Sequence, residues 1–394
     1  MQFDGYVRPD GRVGIRNHVL VLPSVVCSAQ TALNIAARVE GTVAIYHQHG
    51  CAQVGEDAEQ TFRTLAGTGR HPNVYGVVVV GLGCEGGSAE RLAEEIGQTG
   101  KPVEVVMIQE EGGSRRATAI GERHAHGMLE AAEEAERTPV DVGELVVGTE
   151  CGGSDAFSGL SANSGVGAAV DALVRAGGTA LLTETTEFIG AEHLLMGRAR
   201  ARGVAQQIAE IVRTYERAAA GTLANAADAH SGDPPGGLAL APGNVEGGLS
   251  TIEEKSLGCI VKGGTTPIQE VIEYAGRPTR KGLVIMDGPG QDVESVSGLV
   301  AAGAHLVLFT TGRGTPVGSP IAPVIKIAST DELYQRMRDN MDVNAGTVVE
   351  GKETTTALGR RLLERCLRVA SGEPTRAELM GHAEFGVART WRTL

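Results

Sequence analysis

The sequence predicts an α/β protein of two domains, an N-terminal doubly wound and mostly parallel sheet followed by a larger C-terminal α/β domain. Its 394 residues are more than a single core usually organises. Strand-like runs that are apolar on both faces alternate with helix-like stretches, as in a parallel sheet covered by helices. The 56 glycines lie in short clusters beside these runs, which indicates many tight turns.

The first domain is predicted over residues 1–140. The apolar runs and the stretches between them predict strands at 18–27, 41–51, 76–84 and 102–109, and helices at 28–40, 57–67 and 88–98. A charged helix over 127–141 is predicted to end the domain.

The second domain is predicted over residues 141–394. Its predicted strands are 144–151, 179–188, 282–290, 304–314 and 323–329, and its first helix is 165–177. Residues 225–248 are rich in Gly, Pro, Ala and Asp, which predicts a long flexible loop.

The net charge of the chain disfavours some classes of binding partner. A formal net charge of −13 disfavours nucleic acid and anionic membrane surfaces, which attract basic patches. The first residues lack the basic-then-apolar layout of a secretory signal, and no apolar run is long enough to span a bilayer. These features predict a cytoplasmic protein whose six cysteines stay reduced.

Four cysteines follow predicted strands closely. Cys27, Cys51, Cys84 and Cys151 lie at the carboxyl end of a strand or just beyond it. Ligands of open parallel sheets bind at that edge, so we expect at least two of Cys51, Cys84 and Cys151 to belong to a functional site. The alternative is simple burial, which is common for cysteine.

The segment HQHGC adds two histidines to these thiols. His47, His49 and Cys51 alternate along an extended segment and therefore face one way. Imidazole and thiolate are ligands for iron or zinc, so we predict a metal site formed by these side chains with Cys84 and Cys151. The alternative is that the histidines bind loop carbonyl groups.

Several long motifs carry a family resemblance. The segments GYVRPDGRVGIRNHVLVLPSVVCSA, HQHGCAQVGED, GLGCEGG, GTECGGSDAFSGLSAN, ETTEFIGAEHLL and FTTGRGTPVGSPIAPVIKIAS together resemble the altronate/galactarate dehydratase family over essentially the whole chain. The resemblance implies a lyase that removes water from a sugar acid by β-elimination, giving a 2-keto-3-deoxy acid. A close relative is the large subunit of sulfolactate sulfo-lyase, which releases sulfite.

The resemblance also implies partners. Fused members of the family carry a small N-terminal SAF domain ahead of the motif GYVRPDGR. This chain starts at that motif and resembles the large subunit of a split enzyme, so a separate small subunit and homo-oligomer contacts are expected. Its substrate is expected to be a small hydroxy-acid.

The resemblance implies iron or a similar divalent cation, and two forms of the site stay open. In one, Cys51, Cys84 and Cys151 hold an iron–sulfur cluster. In the other, Fe²⁺ or Mn²⁺ is bound by His and carboxylate ligands. The grouping of the thiols favours a cysteine-containing iron site.

Basic side chains are candidates for binding the substrate. Arg12, Arg16 and Asn17 in DGRVGIRNH and Arg313 in TTGRGTPVG are predicted to bind its carboxylate, because guanidinium groups form paired hydrogen bonds with carboxylates. The alternative for these arginines is pairing with surface acids.

A base must remove the proton next to the substrate carboxylate. Lys255 and Lys262 are predicted for this role, because burial can lower a lysine pKa, and His193 is the next candidate. In TETTEF, Glu184 and Glu187 lie on opposite faces of an ideal strand, so both can join one site only if the chain turns there.

Three functions are compatible with these residues. The first is elimination of water from a sugar acid. The second is elimination of sulfite from sulfolactate, which a sulfonate-sized pocket rich in Arg and Ser would favour. The third is a non-catalytic iron-binding partner subunit.

Overall fold

The structure is a computed structural model that describes residues 1–227 and 240–390. The strands of this part are β1 Gln2–Val7, β2 Val13–Gly14, β3 His18–Pro23, β4 Thr42–Ala44, β5 Val74–Gly81, β6 Val103–Met107, β7 Thr138–Asp141, β8 Val146–Gly152, β9 Thr179–Leu182, β10 Ile268–Ile272, β11 Gly282–Met286, β12 Leu306–Thr311, β13 Val324–Ala328 and β14 Val343–Asn344. They form two parallel sheets and one small antiparallel sheet, which confirms the predicted α/β class.

The helices of the described residues cover these sheets. They are α1 Val26–Ala36, α2 Gly55–Arg70, α3 Ser88–Gly97, α4 Ser114–Glu133, α5 Ala162–Arg175, α6 Glu192–Gly197, α7 Arg202–Ala227, α8 Pro242–Glu246, α9 Ile252–Ile260, α10 Asp292–Ala301, α11 Asp331–Arg336, α12 Gly346–Val349, α13 Thr355–Ala370 and α14 Arg376–Leu379. None of these helices is both long enough and apolar enough to cross a membrane.

The first parallel sheet has the strand order β4-β3-β5-β6. Its central strands are valine-rich and buried on both faces. Val19 and Val21 pack into one core cluster with residues of α1 and α4, whereas Leu20 and Leu22 pack into another with residues of α2 and α3. The chain order reverses between β3 and β5, and in such sheets the crevice beyond these carboxyl ends is the usual ligand site.

The second parallel sheet has the order β10-β11-β9-β8-β12-β13-β14. Here the order reverses between β8 and β12, because β9 lies on one side of β8 and β12 on the other. Leu20 and Leu22 of the first sheet share a core cluster with Val307 and Phe309 of the second. A continuous hydrophobic core therefore joins the two sheets.

Some predicted elements differ from the structure. The strand predicted at 179–188 ends at Leu182, because Glu184 adopts a left-handed conformation with φ 71° and a 3₁₀ turn follows. The charged helix predicted over 127–141 ends at Glu133, and residues 138–141 form β7, which pairs with β1. The domain boundary at residue 140 stays a prediction.

The flexible loop predicted at 225–248 is only partly within the described residues. Residues 228–239 lie outside them. On either side, α7 continues to Ala227 and α8 spans Pro242–Glu246.

Gly167 permits a close contact that positions a turn at the carboxyl edge of the second sheet. A Cβ added to Gly167 on α5 would lie 2.1 Å from the carbonyl oxygen of Val261. The 3₁₀ turn Val261–Gly263 that follows α9 is thereby held against α5.

We predict that Gly167→Ala lowers the free energy of unfolding by about 1–3 kcal/mol, because an extra methyl group forces the backbone of this turn away. The matched control is Gly127→Ala in α4, where an added Cβ meets no atom within 4 Å. At that exposed position alanine is expected to leave stability unchanged or to raise it slightly. Urea unfolding of both variants measures the difference, and equal stabilities would contradict the predicted contact.

Candidate metal centre and adjoining pocket

Four buried side chains converge at the carboxyl edge of the second sheet. Cys151, Glu184, Glu187 and Cys259 each offer a ligand atom, and these atoms lie within 4.8 Å of one another. Within residues 1–227 and 240–390, no other group of three or more His, Cys, Asp or Glu side chains is close enough together to hold one ion. We call these four residues the buried Cys/Glu group.

The parallel pairing of β8 and β9 brings three of its members together. Cys151 is the penultimate residue of β8, and both glutamates follow β9, which lies beside it. The left-handed Glu184 precedes a 3₁₀ turn, Thr185–Phe188, so that both carboxylates reach Cys151. The Cys151 amide donates to Glu184 Oε2 at 3.1 Å, and the Cys151 thiol donates to Glu187 Oε2 at 3.2 Å.

The left-handed residue is informative in itself. A non-glycine residue with positive φ costs on the order of 1–3 kcal/mol and persists where the surrounding structure holds it. The chain therefore turns at ETTE, as a shared site for Glu184 and Glu187 requires.

Two lysines accompany the group. The Lys262 ammonium is fully buried and lies 2.5 Å from Glu184 Oε2, 2.6 Å from Cys259 Sγ and 3.3 Å from Cys151 Sγ. The Lys255 ammonium lies 2.6 Å from Glu187 Oε1. Both predicted catalytic lysines are thus at the buried Cys/Glu group, where they balance its carboxylates.

The groups around these lysines contradict the expectation that burial lowers their pKa. Burial by itself lowers a lysine pKa, but the Cys151 and Cys259 sulfurs and the two glutamates raise the pKa of Lys262 well above its ordinary value. For Lys255, Glu187 likewise outweighs burial and raises the pKa. The predicted lowering of the lysine pKa is therefore wrong, and both side chains are cations at neutral pH.

The acidic members have shifted pKa values as well. The hydrogen bond with Cys259, together with burial, raises the pKa of Cys151, and burial raises that of Cys259. Burial raises the pKa of Glu184 to about 8, although Lys262 opposes this. For Glu187, burial is outweighed by Lys255 and Lys262, and its pKa lies below the ordinary value.

A pocket adjoins the group. Its volume is about 410 Å³, and Lys255 forms part of its wall together with the polar residues Ser154, Asp155, Ser158 and Asn163. The loop after β8 supplies most of these side chains, so the pocket opens near the place where the strand order reverses. Ser154 Oγ is buried and has no hydrogen-bond partner among the described residues.

Two further charged residues flank this loop. The Arg313 amide donates to the carbonyl oxygen of Gly153 at 2.9 Å, and the Arg313 side chain pairs with Glu246 at 2.8 Å. On the other side, a Cβ added to Gly152 would lie 2.4 Å from an Asp292 carboxylate oxygen. The role predicted for Arg313 in substrate binding stays a prediction.

The other predicted substrate-binding residues lie elsewhere. The Arg12 side chain pairs with Asp10 at 2.6 Å, and Arg16 pairs with Glu378 at 2.7 Å. Asn17 donates to the carbonyl oxygen of Ala132 at 2.6 Å.

These residues precede β3, and in a parallel sheet all strands start at one edge and end at the other. Arg12, Arg16 and Asn17 therefore fix the N-terminal segment at the edge opposite the carboxyl ends of the strands. Their role in binding the substrate carboxylate stays a prediction.

The predicted metal ligands of HQHGC and GLGCEGG are separate from Cys151. Cys51 and Cys84 are exposed and follow β4 and β5 of the first sheet, whereas Cys151 is buried in the second. His47 Nδ1 accepts from the His49 amide at 3.2 Å, and His47 Nε2 donates to the carbonyl oxygen of Pro23 at 2.9 Å. Both nitrogens of His47 thus bind backbone groups, and its role as a metal ligand stays a prediction.

Two other predicted residues stay predictions. The ring of His49 lies 3.4 Å from an Arg389 guanidinium nitrogen. His193 is exposed on the short helix α6.

Sequence reasoning missed Cys259, because it lies in a helix and not at the end of a strand. A usable signal was the spacing of Cys259 and Lys262, since residues three apart in a helical segment lie on the same side. That side faces Cys151.

Two family models match most of the chain. Residues 142–393 match the family model described as D-galactarate/altronate dehydratase, C-terminal, and residues 5–133 match that of the D-galactarate dehydratase/altronate hydrolase second domain. The chain is 39% identical to the (2R)-sulfolactate sulfo-lyase subunit beta of Chromohalobacter salexigens, covering 99% of this chain and 98% of that subunit.

Two dehydratases are also similar. The chain is 35% identical to the altronate dehydratase of Bacillus subtilis, over 100% of this chain and 78% of the relative. It is 38% identical to the L-threo-forming galactarate dehydratase of Escherichia coli, over 94% of this chain and 73% of the relative.

We predict that Lys262→Met lowers the free energy of unfolding by about 1–3 kcal/mol, because the buried Glu184 carboxyl group and two thiols lose the hydrogen-bond donor that they share. The double variant Lys262→Met/Glu184→Gln is expected to recover much of this loss. An exposed pair, Arg217 with Glu210, provides the control Arg217→Met, which is expected to change stability little. Urea unfolding at pH 7 measures all three, and additive effects of the two substitutions at the buried pair would contradict its coupling.

Proposed function

Because this chain belongs to the D-galactarate/altronate dehydratase family, we propose that it catalyses the metal-assisted elimination of water from a sugar acid. A substrate such as altronate or galactarate would give a 2-keto-3-deoxy acid. The observation that carries the proposal is the buried Cys/Glu group beside a pocket with a lysine cation in its wall. Proteins named dehydratases and a sulfo-lyase are its relatives, and the family is one of lyases.

The buried Cys/Glu group fits a divalent cation. Two thiols and two carboxylates suit iron, zinc or manganese, and the sulfur ligands favour the softer ions of this set. Glu184 Oε1 is buried without a hydrogen-bond partner among the described residues, so one ligand atom is available. The Lys262 ammonium lies among the same ligands and supplies positive charge there. A cation bound in this place supplies a Lewis acid that stabilises negative charge on the substrate.

Lys255 is suited to bind the substrate carboxylate. Its ammonium group pairs with Glu187 and also forms part of the pocket wall, so it links the buried Cys/Glu group to the cavity. As a cation it attracts a carboxylate and stabilises the charge that develops when the neighbouring proton leaves. Its raised pKa argues for this role and against that of a base.

Asp292 is the side chain that we assign as the proton acceptor. Its carboxylate lies against Gly152, at the reversal of strand order, and it is the first residue of α10. A carboxylate positioned beside the reacting carbon is a common general base. The pocket wall then orients the hydroxyl groups of the substrate through Ser154, Asp155 and Ser158.

A second candidate is elimination of sulfite from sulfolactate. It is favoured by the match over nearly the full length of a sulfo-lyase subunit beta, and that subunit's name implies a partner. The residues of the pocket wall include two serines but no arginine. This set, with its acidic and amide groups, suits a polyhydroxylated acid better than a sulfonate. In either reaction, we propose that a small subunit of the SAF type completes the enzyme.

The assay that tests the proposal uses the purified chain, alone and coexpressed with a small subunit, supplied anaerobically with Fe²⁺. Altronate, galactarate and sulfolactate are offered in parallel, and release of keto acid and of sulfite is followed. Keto acid without sulfite from a sugar acid is expected. Sulfite from sulfolactate would replace the first function by the second, and turnover of none of these substrates would contradict both.

Two substitutions test the assigned residues. Lys255→Met is expected to lower kcat/KM by about 10²- to 10³-fold, because a preorganised positive charge is lost. Asp292→Asn is expected to lower kcat by about 10²- to 10⁴-fold through loss of the proton acceptor. The matched control is Lys352→Met, at an exposed lysine that pairs with Glu350. Wild-type kcat/KM in Lys255→Met would remove this residue from the site.

Metal content provides a test that does not depend on turnover. Cys259→Ser is expected to lower the bound iron or manganese by about one ion per chain, because a hydroxyl is a poor substitute for a thiolate ligand. Since both thiols must lose their protons, metal binding by the wild type is expected to strengthen as the pH rises. Elemental analysis after dialysis measures both effects. Unchanged metal in Cys259→Ser would show that the ion lies elsewhere.

A further inference from the structure

The first sheet presents three thiols of its own at its carboxyl edge. Cys27 lies in the first turn of α1 after β3, Cys51 follows β4, and Cys84 follows β5. All three are free and exposed, whereas Cys151, Cys259 and Cys366 are buried. Unpaired cysteine is ordinarily among the most buried residues, so three exposed thiols at one edge call for a function.

The strand order places these thiols on neighbouring loops. β3 is paired with β4 on one side and with β5 on the other, so the three loops follow adjacent strands. The reversal of strand order falls between β3 and β5, the strands that Cys27 and Cys84 follow. This is the position at which open parallel sheets bind their ligands.

Hydrogen bonds join the three loops into one rim. The Val26 amide donates to the carbonyl oxygen of His49 at 2.8 Å, which links the loop of Cys27 to that of Cys51. Ser24 Oγ donates to Glu85 Oε1 at 2.8 Å, which links it to the loop of Cys84.

Close backbone contacts fix the rim further. The Glu85 carboxylate also accepts from the amides of Leu82 and Gly83, at 2.9 and 2.6 Å. A Cβ added to Gly50 would lie 2.8 Å from the carbonyl oxygen of Ser24, so these two loops touch. The three thiols are therefore carried by a connected frame and not by three independent loops.

The kind of ligand follows from thiol number and spacing. Cys27, Cys51 and Cys84 do not converge as ligands of one ion, since among the described residues only the buried Cys/Glu group does so. In a [4Fe–4S] cluster each cysteine binds a different iron, so its thiolates lie around the cluster and farther apart than ligands of a single ion. Three thiolates hold three irons of a four-iron cluster and leave the fourth without a cysteine.

We propose that Cys27, Cys51 and Cys84 bind a [4Fe–4S] cluster at the carboxyl edge of the first sheet. This site is distinct from the buried Cys/Glu group and differs from the cluster expected from the sequence, because Cys27 replaces Cys151. The exposed rim gives the fourth iron access to solvent. The ammonium groups of Lys262 and Lys255 pair with the buried Cys/Glu group and take no part in the cluster site.

The test is anaerobic purification of the full chain, expressed with iron, followed by iron and acid-labile sulfide analysis. About four sulfides per chain are expected in the wild type, together with an electron paramagnetic resonance signal after reduction. Cys27→Ser, Cys51→Ser and Cys84→Ser are each expected to lose most of the sulfide and the signal. Because these thiols are exposed, each Cys→Ser variant is expected to have the same free energy of unfolding in urea as wild-type chain without the cluster.

Two controls separate this site from the proposed active site. Cys366→Ala, in the buried face of α13, is expected to keep the sulfide of the wild type. Cys151→Ser is expected to keep the sulfide while losing the ion of the buried Cys/Glu group. Absence of labile sulfide from wild-type chain after reconstitution with iron and sulfide would overturn the proposal, as would zinc bound in its place. Loss of sulfide in Cys151→Ser but not in Cys27→Ser would likewise overturn it.

Discussion

The carboxyl edge of the second sheet is organised around one buried positive charge, the ammonium group of Lys262. A fully buried cation is stable only when anionic or polar groups surround it closely. Glu184 at 2.5 Å and the sulfurs of Cys259 and Cys151 meet this requirement. Because these groups come from strand β8, the turn after β9 and helix α9, the need for charge balance restricts how these three segments pack.

Local features of the backbone follow from that constraint. Glu184 takes a left-handed conformation so that its carboxylate and that of Glu187 both face Cys151. The turn that carries Lys262 can lie against α5 because Gly167 has no side chain. The strain and the close packing are maintained by the same buried group that we propose as the metal centre.

The two sheets provide two different environments for thiols. They share a hydrophobic core, and Gly67 of α2 lies against Ala301 of α10 where their helices meet. At the carboxyl edge of the second sheet, the thiols of Cys151 and Cys259 are buried and their pKa values are raised, so a bound ion must displace their protons. In the first sheet the thiols are exposed on joined loops. The chain thus has buried thiols beside a pocket at one sheet and exposed thiols at the carboxyl edge of the other.

The sequence by itself determined the fold class, the family and the thiols at strand ends. A strand such as β5, with its run VVVV, is apolar on both faces because helices cover both faces of the sheet. The apolar pattern is therefore sufficient to predict such strands. It also showed that Glu184 and Glu187 needed a turn to act together.

The tertiary structure decided which of these groups meet. Cys51 and Cys84 belong to one sheet and Cys151 to another, Cys259 reaches Cys151 from a helix, and Arg12 and Arg16 lie at the opposite edge. Strand order and charge pairing arise between segments far apart in the chain, and for that reason no local pattern reveals them.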